Sequence, residues 1–156
     1  MILAIDPGLA GGLAVLLGSA VEAISMPPTE GDLTTQLRAF CEYRPVAYVE
    51  DVPWVVRSKV NPASVGKLHR NVGVIHGALL AIGIPIIKVA PAVWQKPLRL
   101  GTRAACKSST EWKNKLKAEA QRRFPGVNVT LATADALLIL DWARGQVPSN
   151  PMVTDQ

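Results

Sequence analysis

The chain has 156 residues, 49% of them hydrophobic, and a formal net charge of +5 at neutral pH. That is enough apolar material for one packed domain and too much for a disordered chain. No apolar run reaches the roughly 18 residues that span a bilayer, Met1–Asp6 carries no basic leader region, and Cys41 and Cys106 are too few for a disulfide framework. The expectation is a cytoplasmic protein with reduced thiols and no membrane partner.

Ile2–Ile5, Gly12–Leu17 and Val21–Met26 are short apolar runs. Asp-Pro-Gly, Gly-Gly and Gly18-Ser19 punctuate them, so they read as three sequential strands joined by tight turns. Asp32 is expected to cap a helix in which Leu33, Leu37 and Phe40 form a stripe, ending by Pro45. Val46–Glu50 reads as a fourth strand. Asn61-Pro62 is a strong helix start, a capping side chain followed by proline in the first turn. Val65, Leu68, Val72, Ile75, Leu79 and Ile82 then recur at helical spacing until Gly83. Ile84–Val89 reads as a fifth strand, with Trp94 as a core residue beyond it. Ser109 or Thr110 is expected to cap a basic helix that ends at Pro125-Gly126. A last helix, Thr133 to Arg144, is apolar on most sides and should be well buried. Three strands in sequence followed by alternation imply an α/β mixed sheet with an antiparallel part and helices on its faces. The expected division is one domain over 1–145 and a C-terminal tail over 146–156.

From Val52 to Thr110 there is no Asp or Glu. The same stretch carries Arg57, Lys59, Lys96, Arg99, Arg103 and Lys107, and Lys113 follows shortly after. Such a field is either a phosphate-binding surface or a solvated basic face. Lys96, Arg99, Arg103 and Lys107 fall in a stretch with Pro97 and Gly101 that reads as a mobile loop, suited to ordering on phosphate.

Three carboxylates stand where chemistry can use them. Asp6 ends the first strand, Glu50 ends the fourth, and Asp135 lies in the first turn of the last helix. If the first and fourth strands are parallel neighbours, their carboxyl ends share the edge where open α/β sheets place their sites. Hard oxygen ligands of this kind suit Mg²⁺, with Mn²⁺ as a substitute. Two such ions roughly 4 Å apart can hold an attacking water and a leaving oxygen in line across a phosphodiester. Taken singly, each acid also has an ordinary explanation: turn chemistry at Asp6, a polar strand exit at Glu50, and dipole complementation at Asp135.

At these residues the chain resembles the RuvC-type Holliday-junction resolvases of the ribonuclease H-like superfamily, especially their phage-type branch. Ile-Leu-Ala-Ile-Asp-Pro-Gly-Leu-Ala-Gly-Gly resembles the family's first-strand motif, and Val-Glu-Asp-Val-Pro its second. Ser-Val-Gly-Lys-Leu-His-Arg-Asn-Val-Gly-Val-Ile-His-Gly resembles the long helix; Val-Ala-Pro-Ala-Val-Trp-Gln-Lys-Pro-Leu and Ala-Asp-Ala-Leu-Leu-Ile-Leu match later blocks. The likeness runs in unbroken order over about 1–144. It implies a five-stranded mixed sheet of order 3-2-1-4-5 with the first three strands antiparallel. It further implies a homodimer, Asp6, Glu50 and Asp135 as catalytic metal ligands, two Mg²⁺ ions per active site, and paired nicks in a four-way DNA junction. One departure stands out. The family places another acid, or a His, one turn before the position of Asp135, where this chain has Leu131 and Ala132. Asp141, six residues on and about 240° round the helix, cannot substitute.

On the long helix, Gly66, Gly73 and Gly77 fall at about 0°, 340° and 20° on a helical wheel, opposite the apolar stripe. This bare stripe either admits a second subunit's helix or DNA, or is tolerated exposed glycine. His69 and His76 fall at the stripe's border, where packing is the expectation. Trp54, just past Glu50, is either a core residue at a turn or an aromatic that stacks on a splayed base. Two other readings stay open beside the resolvase: a related nuclease acting on RNA, and a catalytically weak or dead junction-binding module.

Overall fold

The computed structural model of the chain describes residues 1–53 and 61–146. Its sheet has five strands, β1 (Ile2–Asp6), β2 (Gly12–Leu17), β3 (Ala20–Ser25), β4 (Val46–Glu50) and β5 (Ile86–Val89), in the order β3-β2-β1-β4-β5. β1 pairs antiparallel with β2 and parallel with β4, in the register Ile2↔Val46 to Ile5↔Val49. β2 and β3 form the antiparallel hairpin, and β4 and β5 are parallel. The mixed sheet and the strand order are those expected from the motifs.

Five helices flank it: α1 (Glu30–Phe40), α2 (Pro62–Ala81), α3 (Pro91–Gln95), α4 (Ser109–Arg123) and α5 (Ala134–Arg144). Strand alternation divides the core in two. Leu3, Ile5, Leu13, Ala47 and Val49 pack under α1 and α2 through Leu33, Leu37, Ile75 and Leu79. Ala4, Ala14, Tyr48 and Val89 pack under α3, α4 and α5. α5 is buried almost all round, so truncating its fully buried Leu138 to Ala would cost about 2–5 kcal/mol.

Several boundaries differ from the sequence expectation. Thr29, not Asp32, caps α1: its hydroxyl accepts from the Asp32 N–H at 3.1 Å and donates to the Asp32 carboxylate at 2.7 Å. Asp32 instead lies in the first turn, where its carboxylate accepts from the capping hydroxyl and complements the helix dipole. α1 stops at Phe40, and a 3₁₀ turn (Cys41–Tyr43) carries the chain on towards β4. Ser108 caps α4 by accepting from the Glu111 N–H, one residue before the expected caps. β5 begins at Ile86 rather than Ile84, and Pro85 offers the sheet only its carbonyl, to the Ala47 N–H. The 96–107 stretch is not a plain loop: 3₁₀ turns occupy Lys96–Leu98 and Arg103–Ala105. α2 ends as expected at Gly83, whose φ of +76° closes paired bonds from the Gly83 and Ile84 N–H groups to the Leu80 and Leu79 carbonyls.

Candidate active site

Alternation along the strands decides which way the acids point. Asp6 shares a face with Ala4, and Glu50 with Tyr48, so both leave the sheet on the side that α5 covers. β1 and β4 are parallel neighbours, so the two carboxylates end adjacent strands on one edge. α5 brings Asp135 to the same edge from its first turn. The structure therefore brings Asp6, Glu50 and Asp135 into one electrostatic field, in which Asp135 raises the proton affinity of Asp6, and Asp6 and Asp135 raise that of Glu50.

Burial is the larger cause of those shifts. It pushes Asp6 above the usual aspartate range, opposed by the Gly8 N–H that donates to Asp6 Oδ1 at 3.0 Å. Burial, then Asp6 and Asp135, push Glu50 up to about 8. The Trp94 indole N–H makes no hydrogen bond, and its proximity to Glu50 favours the carboxylate only slightly. Asp135 is 6% exposed. Its Oδ2 accepts from the Lys113 ammonium, and its Oδ1 has no hydrogen-bond partner. A buried carboxylate oxygen left bare calls for a cation or donor. Burial alone would lower the pKa of Lys113, but Asp135, Asp6 and Glu50 together raise it.

Sequence reading missed the residues that hold this arrangement. A Cβ on Gly11 would stand 2.4 Å from the Asp6 carbonyl oxygen and 2.7 Å from its carboxyl carbon. A Cβ on Gly12 would stand 2.9 Å from the Ala132 carbonyl oxygen, so this glycine lets the entry to α5 close against the hairpin. Asn71 on α2 donates from its side chain to the Pro7 carbonyl at 2.7 Å and ties the loop after Asp6 to the helix. The Gly-Gly pair was a visible signal of close backbone approach; nothing local announced Asn71 or the Lys113–Asp135 pair.

Asp135 lies buried behind Lys113, and Asp6 and Glu50 open on a cleft of about 410 Å³ lined also by Gly11, Lys113, Leu68 and Leu131, among others. Leu131, 47% exposed, stands on its wall. Asp141 is not part of it; that carboxylate is ion-paired with Arg123 and Arg144. Among the described residues, no three Asp, Glu, His or Cys side chains are grouped to hold a metal on their own. The donor chemistry nonetheless fits a hard divalent ion, since such ions commonly take one or two carboxylates and leave other positions to water and phosphate. Asp6, Glu50 and the bare oxygen of Asp135 are the groups that would hold it.

Of the expected phosphate-binding residues, Trp54, Arg57 and Lys59 lie outside the described residues. Lys96, Arg99 and Arg103 line an open groove of about 500 Å³ beside α3. Arg99 adopts a left-handed φ of +55°, a conformation that costs a non-glycine residue free energy and recurs at functional sites. Lys107 is exposed at the entry to α4, where its backbone N–H donates to Glu111. His69 and His76 are part-buried along α2, and no described helix is long and apolar enough to cross a membrane.

No protein-family model and no curated protein matches the chain. Solved structures do share its fold, two RuvC structures among them. T. thermophilus RuvC in complex with Holliday junction substrate aligns with a TM-score of 0.57 at 16% identity, over 93% of this chain and 95% of that one. A second Thermus thermophilus RuvC structure aligns with a TM-score of 0.51 at 20% identity, over 92% and 95%. The architecture is thus the ribonuclease H-like fold seen in RuvC.

Proposed function

We propose that the chain is a divalent-cation-dependent endonuclease that cuts branched DNA and resolves four-way junctions by paired nicks, with Asp6, Glu50 and Asp135 as its acidic centre. The observation that carries this reading is the convergence of three carboxylates, from two strand ends and a helix start, on one sheet edge, where Asp6 and Glu50 line a cleft with Lys113. A structural role does not account for this grouping, in which Asp135 raises the pKa of Asp6, and Asp6 and Asp135 raise that of Glu50. The RuvC neighbour solved with a Holliday junction supports the choice of substrate, and the order of motifs supports the phage-type branch.

A bound Mg²⁺ or Mn²⁺ would polarise the scissile phosphate and acidify a water. The chain's own residues supply the rest. Gly8 and Gly11 fix the Asp6 carboxylate at the strand end. Lys113 presents an ammonium to the same cleft. Lys96, Arg99, Arg103 and Lys107, with Arg57 and Lys59, would bear on the phosphates of the junction arms, and Trp54 on its bases. A homodimer through the 62–82 helix belongs to the same proposal. It is supported by Gly66, Gly73 and Gly77, where an added Cβ meets open space, and by Leu80, 69% exposed beside them.

A second reading, a junction-binding module with weak or no cleavage, is favoured by one feature: Leu131 and Ala132 stand where another ligand is expected. Asp6→Asn separates the two. Under the nuclease reading it lowers Mg²⁺-dependent cleavage by at least about a hundredfold while junction affinity stays unchanged. Equal cleavage by the wild type and Asp6→Asn would overturn the assignment.

A further inference from the structure

The cleft lacks one acid and holds a cation of its own. One turn before Asp135 the chain offers Leu131, whose apolar side chain lines the cleft, and Ala132, whose backbone lies against Gly12. Neither supplies a side-chain ligand. Lys113 is the one basic residue among those lining this cleft in the described structure. It comes from α4, 22 residues before Asp135, and its ammonium bonds Asp135 Oδ2 while Oδ1 stays bare.

The placement of the ammonium gives the same answer. Lys113 already occupies one oxygen of Asp135, so a second divalent ion there would meet a like charge, with no further carboxylate among the described lining residues to hold it.

Resting on the nuclease reading above, we propose that Lys113 replaces a second metal ion: the acidic cleft binds one divalent cation, and the Lys113 ammonium, oriented by Asp135, supplies the second positive charge to the scissile phosphate. In the step this serves, the oxygen of a water forms a bond to phosphorus. The bond from phosphorus to one ester oxygen breaks, and the electron pair goes to that oxygen. The attacking water gives up one proton, and the leaving oxygen ends with one. Lys113 Nζ–H donates to the oxygen on which negative charge builds and stays protonated.

The test is Mn²⁺ binding to the full chain, read by calorimetry and by the spin signal of free Mn²⁺. One ion per chain is expected for the wild type. Lys113→Met should bind that ion at least about tenfold more tightly, because a neighbouring like charge has gone. Ala132→Asp in the Lys113→Met background should bind two. With Mg²⁺, Lys113→Met should lose about a hundredfold in cleavage, on the scale of removing one charge-stabilising donor, and Lys113→Arg should retain most of the activity. Two ions per wild-type chain, or unchanged Mn²⁺ affinity in Lys113→Met, would overturn the role of Lys113 and leave the nuclease reading intact. No saturable Mn²⁺ binding to the wild type would overturn both.

Discussion

Glu50→Gln tests the electrostatics of the acidic cleft without requiring the reaction. Glu50 titrates at about 8 in the folded chain, against 4.5 for an ordinary glutamate, chiefly because it is buried and then because Asp6 and Asp135 face it. Its folded pKa is raised, so between these two values the unfolded chain has already lost a proton that the folded chain still holds. Stability contributed by this group therefore falls as pH rises through that window. At about 1.4 kcal/mol per pH unit the gap sets a ceiling of about 5 kcal/mol, of which about 3 kcal/mol is lost between about pH 5 and pH 8. Gln carries no such charge. In the absence of divalent ions, Glu50→Gln should therefore gain on the wild type by about 3 kcal/mol over that span. For a chain of this size that is a relative rise in Tm of about 6–12 °C. Thermal unfolding in chelator at several pH values measures it, and added Mg²⁺ should narrow the difference by stabilising only the wild type. Parallel pH profiles for the two proteins would refute the argument.

Three other perturbations follow from the same geometry. Gly11→Ala forces a methyl against the Asp6 backbone and carboxylate; it should cost about 1–3 kcal/mol in unfolding and weaken Mn²⁺ binding as well. Denaturant melts and a Mn²⁺ titration check this. Arg99→Ala and Arg103→Ala should each reduce the slope of log affinity for junction DNA against log salt by about one, without changing which DNA is preferred, as a salt series by gel shift would show. Gly73→Leu should lower dimerisation by sedimentation if α2 is the dimer face, and an unchanged association constant would remove that face from consideration.

Much of the arrangement was legible in the chain. Short apolar runs broken by Gly and Pro marked the five strands, and a strand-ending acid in each of two motifs placed Asp6 and Glu50. The all-round apolar character of 134–144 marked α5 as buried, which requires it to lie on the sheet and carries Asp135 with it. The Thr29 cap was missed because Asp32, itself a good capping residue, stands three positions on and drew the assignment, although Thr29 accepts from the Asp32 N–H. α3 was missed because five residues are too few to show a period, even with Trp94 fully buried on it. Lys113 was read only as one more basic residue. Helical spacing shows that Trp112, Leu116 and Ala120 face the core, but not that the neighbouring lysine reaches the start of α5. Contacts set by packing between α4 and α5 carry no local signature.

The central claim is a nuclease acting on branched DNA through Asp6, Glu50 and Asp135. Its most direct test is a side-by-side digest of a four-way junction, a flap, a linear duplex and an RNA–DNA hybrid, with and without Mg²⁺ or Mn²⁺. The account predicts metal-dependent nicking of the four-way junction ahead of every other substrate. No cleavage of any branched DNA with either metal, or preferential cleavage of the hybrid, would contradict it.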